Sequence, residues 1–186
     1  MLTQLELLMV LLPIVFMIHD FEEIIMFRLW IEKNREYLKQ RFSKPYHYLS
    51  SHGYTEFSTA TFSVGVLHEF ILLSCFTFCG LYFNLPGLWI IGFMAYSIHI
   101  LIHIAQWIVY RRYIPVIITS LLSLPYCIYT LILFLEAGLL STFEIFAYSL
   151  IGFIAMILSI RSAYFLMSKF AQIEKRYLKN RKNEQE

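Results

Sequence analysis

The sequence predicts an all-α polytopic integral membrane protein, a five-transmembrane-helix bundle with its N-terminus outside and its C-terminus inside. Of its 186 residues, 59% are hydrophobic and only 15% are charged, whereas an ordinary soluble domain is about 45–50% apolar and about 25% charged. Five apolar stretches each approach or exceed the roughly 20 residues that a helix needs to cross a bilayer. Between these stretches, lysine and arginine occur in alternate connections, as expected for a chain that crosses the membrane repeatedly.

The five predicted spans form a single bundle domain over residues 1–168. Their approximate limits are 5–31, 59–83, 88–110, 114–135 and 143–167. Pro115 suits the first turn of the fourth helix, because the N–H that proline lacks is not needed there. A polar segment at about 32–58 separates the first two spans, and a basic tail occupies residues 169–186.

The distribution of basic residues predicts the orientation. The segment 32–58, the pair Arg111–Arg112 and the tail 169–186 contain lysine or arginine, whereas the connections at 84–87 and 136–142 contain none. The positive-inside rule assigns the basic connections to the cytoplasm. We therefore expect a multi-pass protein of the cytoplasmic membrane.

Charge and composition also narrow the class of partner. The net charge is only +2, and no basic stretch is interleaved with aromatic residues as a base-stacking surface would be. The sequence thus predicts no nucleic-acid partner. Membrane lipid is the expected partner, and a hydrophobic or lipid-like substrate is compatible with this composition.

Ionisable residues in the first three spans are placed so that they can meet. At 100° per residue, His19, Glu22 and Glu23 of the first span fall within an arc of about 100°. Asp20 ranks lower because it points away from Glu22. At about 1.5 Å per residue, the polar groups of all three spans lie at similar depth, in the inner half of the membrane. The predicted cluster consists of His19, Glu22, Glu23, His68, Glu69, His99 and His103.

A bound divalent metal is the simplest charge that could compensate carboxylates at this depth, since an unpaired charge there costs several kcal/mol. Imidazole and carboxylate suit Zn²⁺ or Fe²⁺, with Mn²⁺ also possible. Glu22 is the candidate general base, because H-x-x-E-E resembles the zinc-hydrolase signature H-x-x-E-H with its last histidine replaced. The predicted metal ligands are His19, Glu23, His68, Glu69, His99 and His103.

Two stretches also resemble a known family. HDFEE at 19–23 and IHILIHIAQWIVYRRYIPVIITSLLSLP at 98–125 are similar to the HXXEE-motif membrane proteins, which are small bacterial and archaeal polytopic proteins. The resemblance covers about residues 5–165 and implies that His19, Glu22 and Glu23 carry the motif, with His99 or His103 as a downstream histidine. The residue after Pro115 is Val116, where glycine is expected. The family has no known function, so the resemblance implies no reaction.

Three functional classes remain open from the sequence. The first is a metal-dependent membrane hydrolase that acts on a lipid-like or peptide substrate through an activated water. The second is a di-iron, or more generally di-metal, oxidoreductase that uses the same ligands. The third is a transporter or proton relay in which the glutamates and histidines share protons without a metal.

Overall fold

A computed structural model describes residues 3–183 and confirms the all-α class, with six helices and no strand in that range. A short 3₁₀ turn, Tyr54–Glu56, precedes the third helix. The helices are α1 Gln4–Arg41, α2 Ser43–Ser51, α3 Thr59–Tyr82, α4 Pro86–Tyr110, α5 Ile117–Glu136 and α6 Thr142–Asn183.

Four of these helices are long and apolar enough to cross a membrane. They are α3, α4, α5 and the part of α6 from Thr142 to Arg181. α1 is not among the four, and its middle section carries Asp20, Glu22 and Glu23. The length and composition of the helices therefore fit a membrane protein.

Local sequence explains where the helices begin. At the start of α1, the Thr3 hydroxyl accepts the Glu6 amide N–H and the Glu6 carboxylate accepts the Thr3 N–H, forming a capping box. Ser58 caps α3 by accepting the amide N–H of Thr61. Pro86 occupies the first turn of α4, where the missing N–H costs nothing.

The predicted start of the fourth span is wrong. Pro115 does not lie in the first turn of α5, because the helix begins at Ile117 and the residue before it, Val116, has a φ of 76°. A β-branched residue seldom adopts this left-handed conformation, and it interrupts the helical backbone directly after the proline. Val116 is nevertheless 1% exposed, so tertiary packing holds it in place.

The long helices form a ring in the order α1, α3, α6, α4, α5 and back to α1. α4 also contacts α3 and α1 directly across this ring. α6 approaches α4 closely at Gly152, where an added Cβ would lie 2.8 Å from the amide nitrogen of Ala95. Aromatic packing closes one end of the bundle, since the fully buried Trp89 stacks on Phe93 and Phe134 and donates from Nε1 to the Met9 carbonyl.

Candidate functional site

Three histidines from two helices converge in the bundle interior. One ring nitrogen from each of His19, His99 and His103 lies within 4.8 Å of the others. The Nε2 atoms of His99 and His103 are 2.9 Å apart, as the spacing of one helical turn on α4 permits. His19 is 0% exposed, and the centre of its ring lies 5.6 Å and 5.5 Å from those of His99 and His103.

A glutamine orients one of these histidines. The Nδ1 of His103 lies 2.9 Å from the side-chain oxygen of Gln106, one turn further along α4. Because an amide oxygen can only accept, Nδ1 carries the proton and donates it. In the neutral ring Nε2 then keeps its lone pair, which accepts Nε2–H of His99 at 2.9 Å. A histidine whose Nδ1–H is held by an outer acceptor while Nε2 faces other histidines is typical of a metal site.

A second chain of hydrogen bonds orients His19 from α5. The Thr119 hydroxyl donates to Oε2 of Glu22 over 2.7 Å, and its oxygen lies 3.3 Å from Nδ1 of His19. Since that hydroxyl has only one proton to donate, it accepts from Nδ1–H of His19. The Nε2 of His19 has no hydrogen-bond partner among residues 3–183, so its lone pair is available.

Glu22 is held by α5 and by the loop before it. Besides the Thr119 hydroxyl, it accepts the Thr119 backbone N–H at 2.8 Å and the Tyr113 hydroxyl at 2.9 Å. Burial, and then the hydrogen bond to Glu22, raise the pKa of Tyr113 to about 12, so this phenol stays a neutral donor at ordinary pH. Both oxygens of Glu22 are therefore engaged.

The other carboxylates line a cavity of about 1040 Å³ between α1, α3, α4 and α6. Asp20, Glu23 and Glu69 all contribute to its wall, as do His99 and His103. The rest of the wall is mostly apolar and aromatic, for example Phe27, Phe62 and Tyr96. The histidine cluster thus adjoins a large hydrophobic chamber that contains three acidic groups.

Asp20 is the carboxylate that the structure places against the histidines. It is 4% exposed, and its Oδ1 lies 3.8 Å from Nε2 of His19 without any hydrogen-bond partner in the described part of the chain. It is also close enough to Glu23 and Glu69 to interact electrostatically with both. Asp20 therefore belongs to the site, although its direction on the helix, away from Glu22, predicted a lesser role.

The structure brings together only part of the predicted ligand set. Nε2 of His68 lies 2.7 Å from the Ser162 hydroxyl of α6, outside the histidine cluster. Glu69 and Glu23 line the cavity but are not in the cluster of close ligand atoms. The oxygen Oε1 of Glu69 is buried and has no partner within residues 3–183.

A model of one protein family matches residues 10–130, and its description is a protein of unknown function with an HXXEE motif. The chain belongs to the HXXEE family. No curated protein and no solved structure matches it.

The HXXEE motif divides its three members between different surroundings in this protein. His19 joins the histidine cluster, Glu22 bonds to Thr119 and Tyr113, and Glu23 faces the cavity. Successive residues of a helix point about 100° apart, which is why one short motif reaches three neighbours. The motif thus connects a candidate metal site, its hydrogen-bonded support and a chamber that could hold a ligand.

Sequence reasoning assigned no role in the site to Gln106 or Thr119 and ranked Asp20 too low. A signal for Asp20 was present, because a carboxylate in the middle of an apolar helix has to face the protein interior. Gln106 lies on the same polar face of its helix as His103, which indicated a contact. Thr119 lies on an interior polar face of its helix, but its contacts with His19 and Glu22 depend on the packing of α5 on α1.

Proposed function

We propose that this HXXEE protein is a metal-dependent hydrolase embedded in the membrane, with His19, His99 and His103 as the metal ligands. The observation that carries the proposal is the convergence of these three histidines beside a large apolar cavity. Three histidine ligands with a free fourth position are typical of catalytic zinc sites. The same geometry suits Fe²⁺, and Mn²⁺ remains possible.

The residues around the cluster support a binding role over a simple network of shared protons. Gln106 and Thr119 each take up Nδ1–H of one histidine, so Nε2 of His103 and of His19 carry no proton. Nε2 of His103 accepts Nε2–H of His99 at 2.9 Å. Nε2 of His19 and Oδ1 of Asp20 have no partner within residues 3–183 and favour a shared positive charge. A divalent ion supplies that charge, and it would also lower the pKa of a bound water to near neutrality.

Two acidic residues have different roles in this proposal. Glu22 acts as a positioning residue through Thr119 and His19, because its oxygens already accept hydrogen bonds from α5 and Tyr113. Asp20 takes over as the general base or as a fourth ligand, since its Oδ1 lies 3.8 Å from Nε2 of His19 and faces the cavity. As a base it would accept a proton from the attacking water.

In the proposed topology α1 is a fifth span, with the N-terminus outside and the C-terminus inside the cell. Its outer face presents large apolar side chains at intervals of three, four or seven residues, each at least half exposed: Leu7, Ile14, Ile18, Phe21, Ile25 and Leu29. This stripe covers about 33 Å at 1.5 Å per residue, enough to match a hydrocarbon core of about 30 Å. Such a stripe needs lipid or protein to cover it.

A di-metal oxidoreductase is the second candidate, because Asp20, Glu23 and Glu69 line the cavity beside the histidines. Bundles that hold two iron ions use Glu and His side chains from several helices in this way. Two iron atoms per chain with an absorption band from coupled iron would favour this reaction class. One zinc per chain would favour hydrolysis.

Elemental analysis of the purified protein in detergent tests the metal site. The wild type should contain about one zinc, iron or manganese per chain, and a His99→Ala/His103→Ala double variant should lose it. The control is His47→Ala/His52→Ala, which removes the same number of histidines from the α2 region and should retain the metal. Metal-free wild type after preparation without chelators, or equal metal in both double variants, would refute the proposal.

Hydrolysis itself needs a separate assay. Candidate lipid-like and peptide substrates incubated with metal-loaded protein should be cleaved, and Asp20→Asn should slow the cleavage while retaining most of the metal if Asp20 is the base. Loss of metal in Asp20→Asn would instead assign Asp20 as the fourth ligand. A metal-loaded wild type that cleaves none of them, but passes electrons to or from its metal, would favour the oxidoreductase.

A further inference from the structure

The cavity wall contains acidic groups but no lysine or arginine among its residues in the described chain. Asp20, Glu23 and Glu69 provide three carboxylates, and Oδ1 of Asp20 and Oε1 of Glu69 are buried without partners. The wall is otherwise dominated by aliphatic and aromatic side chains. A chamber with this lining favours cations and disfavours phosphate or carboxylate head groups.

The nearest basic side chain on α1 is engaged elsewhere. Arg28 forms ion pairs with Glu32 at 2.7 Å and Glu56 at 3.8 Å and donates to the Thr55 carbonyl at 3.2 Å. Arg35 also pairs with Glu56, at 3.0 Å. These contacts hold both arginines to the segment before α3 and leave the carboxylates of the cavity uncompensated.

The buried oxygens favour a positively charged head group. Oδ1 of Asp20 and Oε1 of Glu69 have no hydrogen-bond partner within residues 3–183, and an ammonium group donates three hydrogen bonds and accepts none. Aromatic walls such as those of Phe27 and Tyr96 add a favourable surface for an ammonium ion.

The cavity is elongated along α4. Its lining on this helix extends from Ile91 to Tyr110, which is about 28 Å at 1.5 Å per residue. This length accommodates an extended hydrocarbon chain.

Exposed lining residues indicate that the cavity opens to the outside between α4 and α6. The two helices touch at Gly152 and Ala95, but further along α6 packs on α3, where Met167 meets Gly65 and Glu174 bonds to Ser58. Val109 of α4 and Leu158 of α6 line the cavity and are also 66% and 62% exposed. The opening is apolar, so a hydrocarbon chain can pass through it.

We infer that the cavity binds a positively charged amphiphile, a long-chain alkylammonium, whose head lies between Asp20, Glu23 and Glu69. This binding does not rest on the proposed hydrolase function, because it depends on the carboxylates and on the apolar lining of the chamber. Its chain extends through the apolar part of the cavity towards the opening between α4 and α6.

Equilibrium binding to the wild-type protein in lipid nanodiscs tests the inference without any substitution. Radiolabelled dodecylamine, dodecanol and dodecanoic acid share one chain and differ only in head-group charge. Binding above that of empty nanodiscs should be saturable for the amine and at least tenfold weaker for the other two. Equal binding of all three would show that the cavity does not select a cation and would overturn the inference.

Two variants locate the head group. Glu23→Gln/Glu69→Gln should weaken dodecylamine binding about 30-fold or more, the effect of about 2 kcal/mol expected when one side of a buried charge pair is removed. Glu36→Gln/Glu136→Gln removes two exposed glutamates and should leave binding unchanged. Unchanged binding in the cavity variant, or displacement of the amine by a second metal ion, would contradict the assignment.

A third variant separates this inference from the proposed function. His99→Ala/His103→Ala removes two of the three proposed metal ligands but none of the carboxylates, so it should still bind dodecylamine. Amine binding in protein that never holds metal would refute the hydrolase proposal and leave the inference intact. Stoichiometric metal without selective amine binding would refute the inference and leave the metal site intact.

Discussion

Substituting Thr119 by valine tests whether α5 positions the histidine cluster. Valine has nearly the same shape as threonine but lacks the hydroxyl, which lies 2.7 Å from Oε2 of Glu22 and 3.3 Å from Nδ1 of His19. The Thr119 backbone N–H still bonds to Glu22 at 2.8 Å, so the carboxylate stays near its position. The substitution therefore removes mainly the partner of His19.

The expected cost follows from the burial of His19. Its ring is 0% exposed, and a buried donor left without a partner costs about 1–3 kcal/mol. The ring can avoid this cost by moving its proton to Nε2, but that proton must then be displaced by the metal. Either way, metal affinity should fall about 10- to 100-fold, the range found when an outer partner of a metal-binding histidine is removed.

Competition with a chromophoric chelator in detergent measures this affinity directly. The matched control is Ser120→Ala on the next residue of α5, because the Ser120 hydroxyl is fully buried and has no partner within residues 3–183. Its removal should leave metal affinity unchanged. If Thr119→Val binds metal as tightly as the wild type, Thr119 does not position His19 and the reasoning fails.

Three further predictions concern stability, each measured as thermal unfolding in detergent. Gly152→Ala should destabilise the protein by about 1–3 kcal/mol, because its Cβ would lie 2.8 Å from the Ala95 nitrogen; an unchanged melting temperature would mean that α4 and α6 can separate freely. Val116→Gly should be more stable than Val116→Ala, although glycine is usually less stable than alanine. Both substitutions remove the buried side chain, but only glycine suits a φ of 76°. A more stable Val116→Ala variant would argue against a left-handed conformation at this residue. Glu174→Ala should lower the free energy of unfolding by about 1 kcal/mol, since this carboxylate accepts hydrogen bonds from the Ser58 and Thr61 hydroxyls at the N-terminus of α3. If Glu174→Ala is as stable as a Lys169→Ala control, the C-terminal part of α6 does not stabilise α3.

Much of the fold could be predicted because hydropathy and capping residues act locally. The second span was predicted at about 59–83 and α3 is Thr59–Tyr82, since Ser58 begins the helix where the apolar run begins. The third was predicted at about 88–110, and Pro86 starts α4 two residues earlier. The fourth was predicted from about residue 114, but α5 begins at Ile117. The difference arises because tertiary packing fixes the backbone conformation of Val116, and a local sequence pattern does not contain that packing.

The site could be predicted only as far as helix faces allow. His19, His99 and His103 come together because their positions on α1 and α4 follow from sequence spacing. The spacing does not decide whether His68 joins them, because that depends on which helix packs against it. In this fold α6 packs there, and Nε2 of His68 lies 2.7 Å from the Ser162 hydroxyl. Asp20 was ranked lower because it points away from Glu22 on the helix. The positions of α3 and α4 determine which faces of α1 are interior, and they make the Asp20 face one of them.

In the proposed membrane topology, an opening between α4 and α6 would determine how a ligand encounters the protein. A molecule that enters between two apolar helices would arrive by lateral diffusion within the bilayer and would not leave hydrocarbon on the way. Occupancy would then follow the mole fraction of the ligand in the lipid, whatever its total amount in the sample. Adding inert lipid or detergent would lower occupancy by surface dilution, even though neither competes for Glu23 or Glu69.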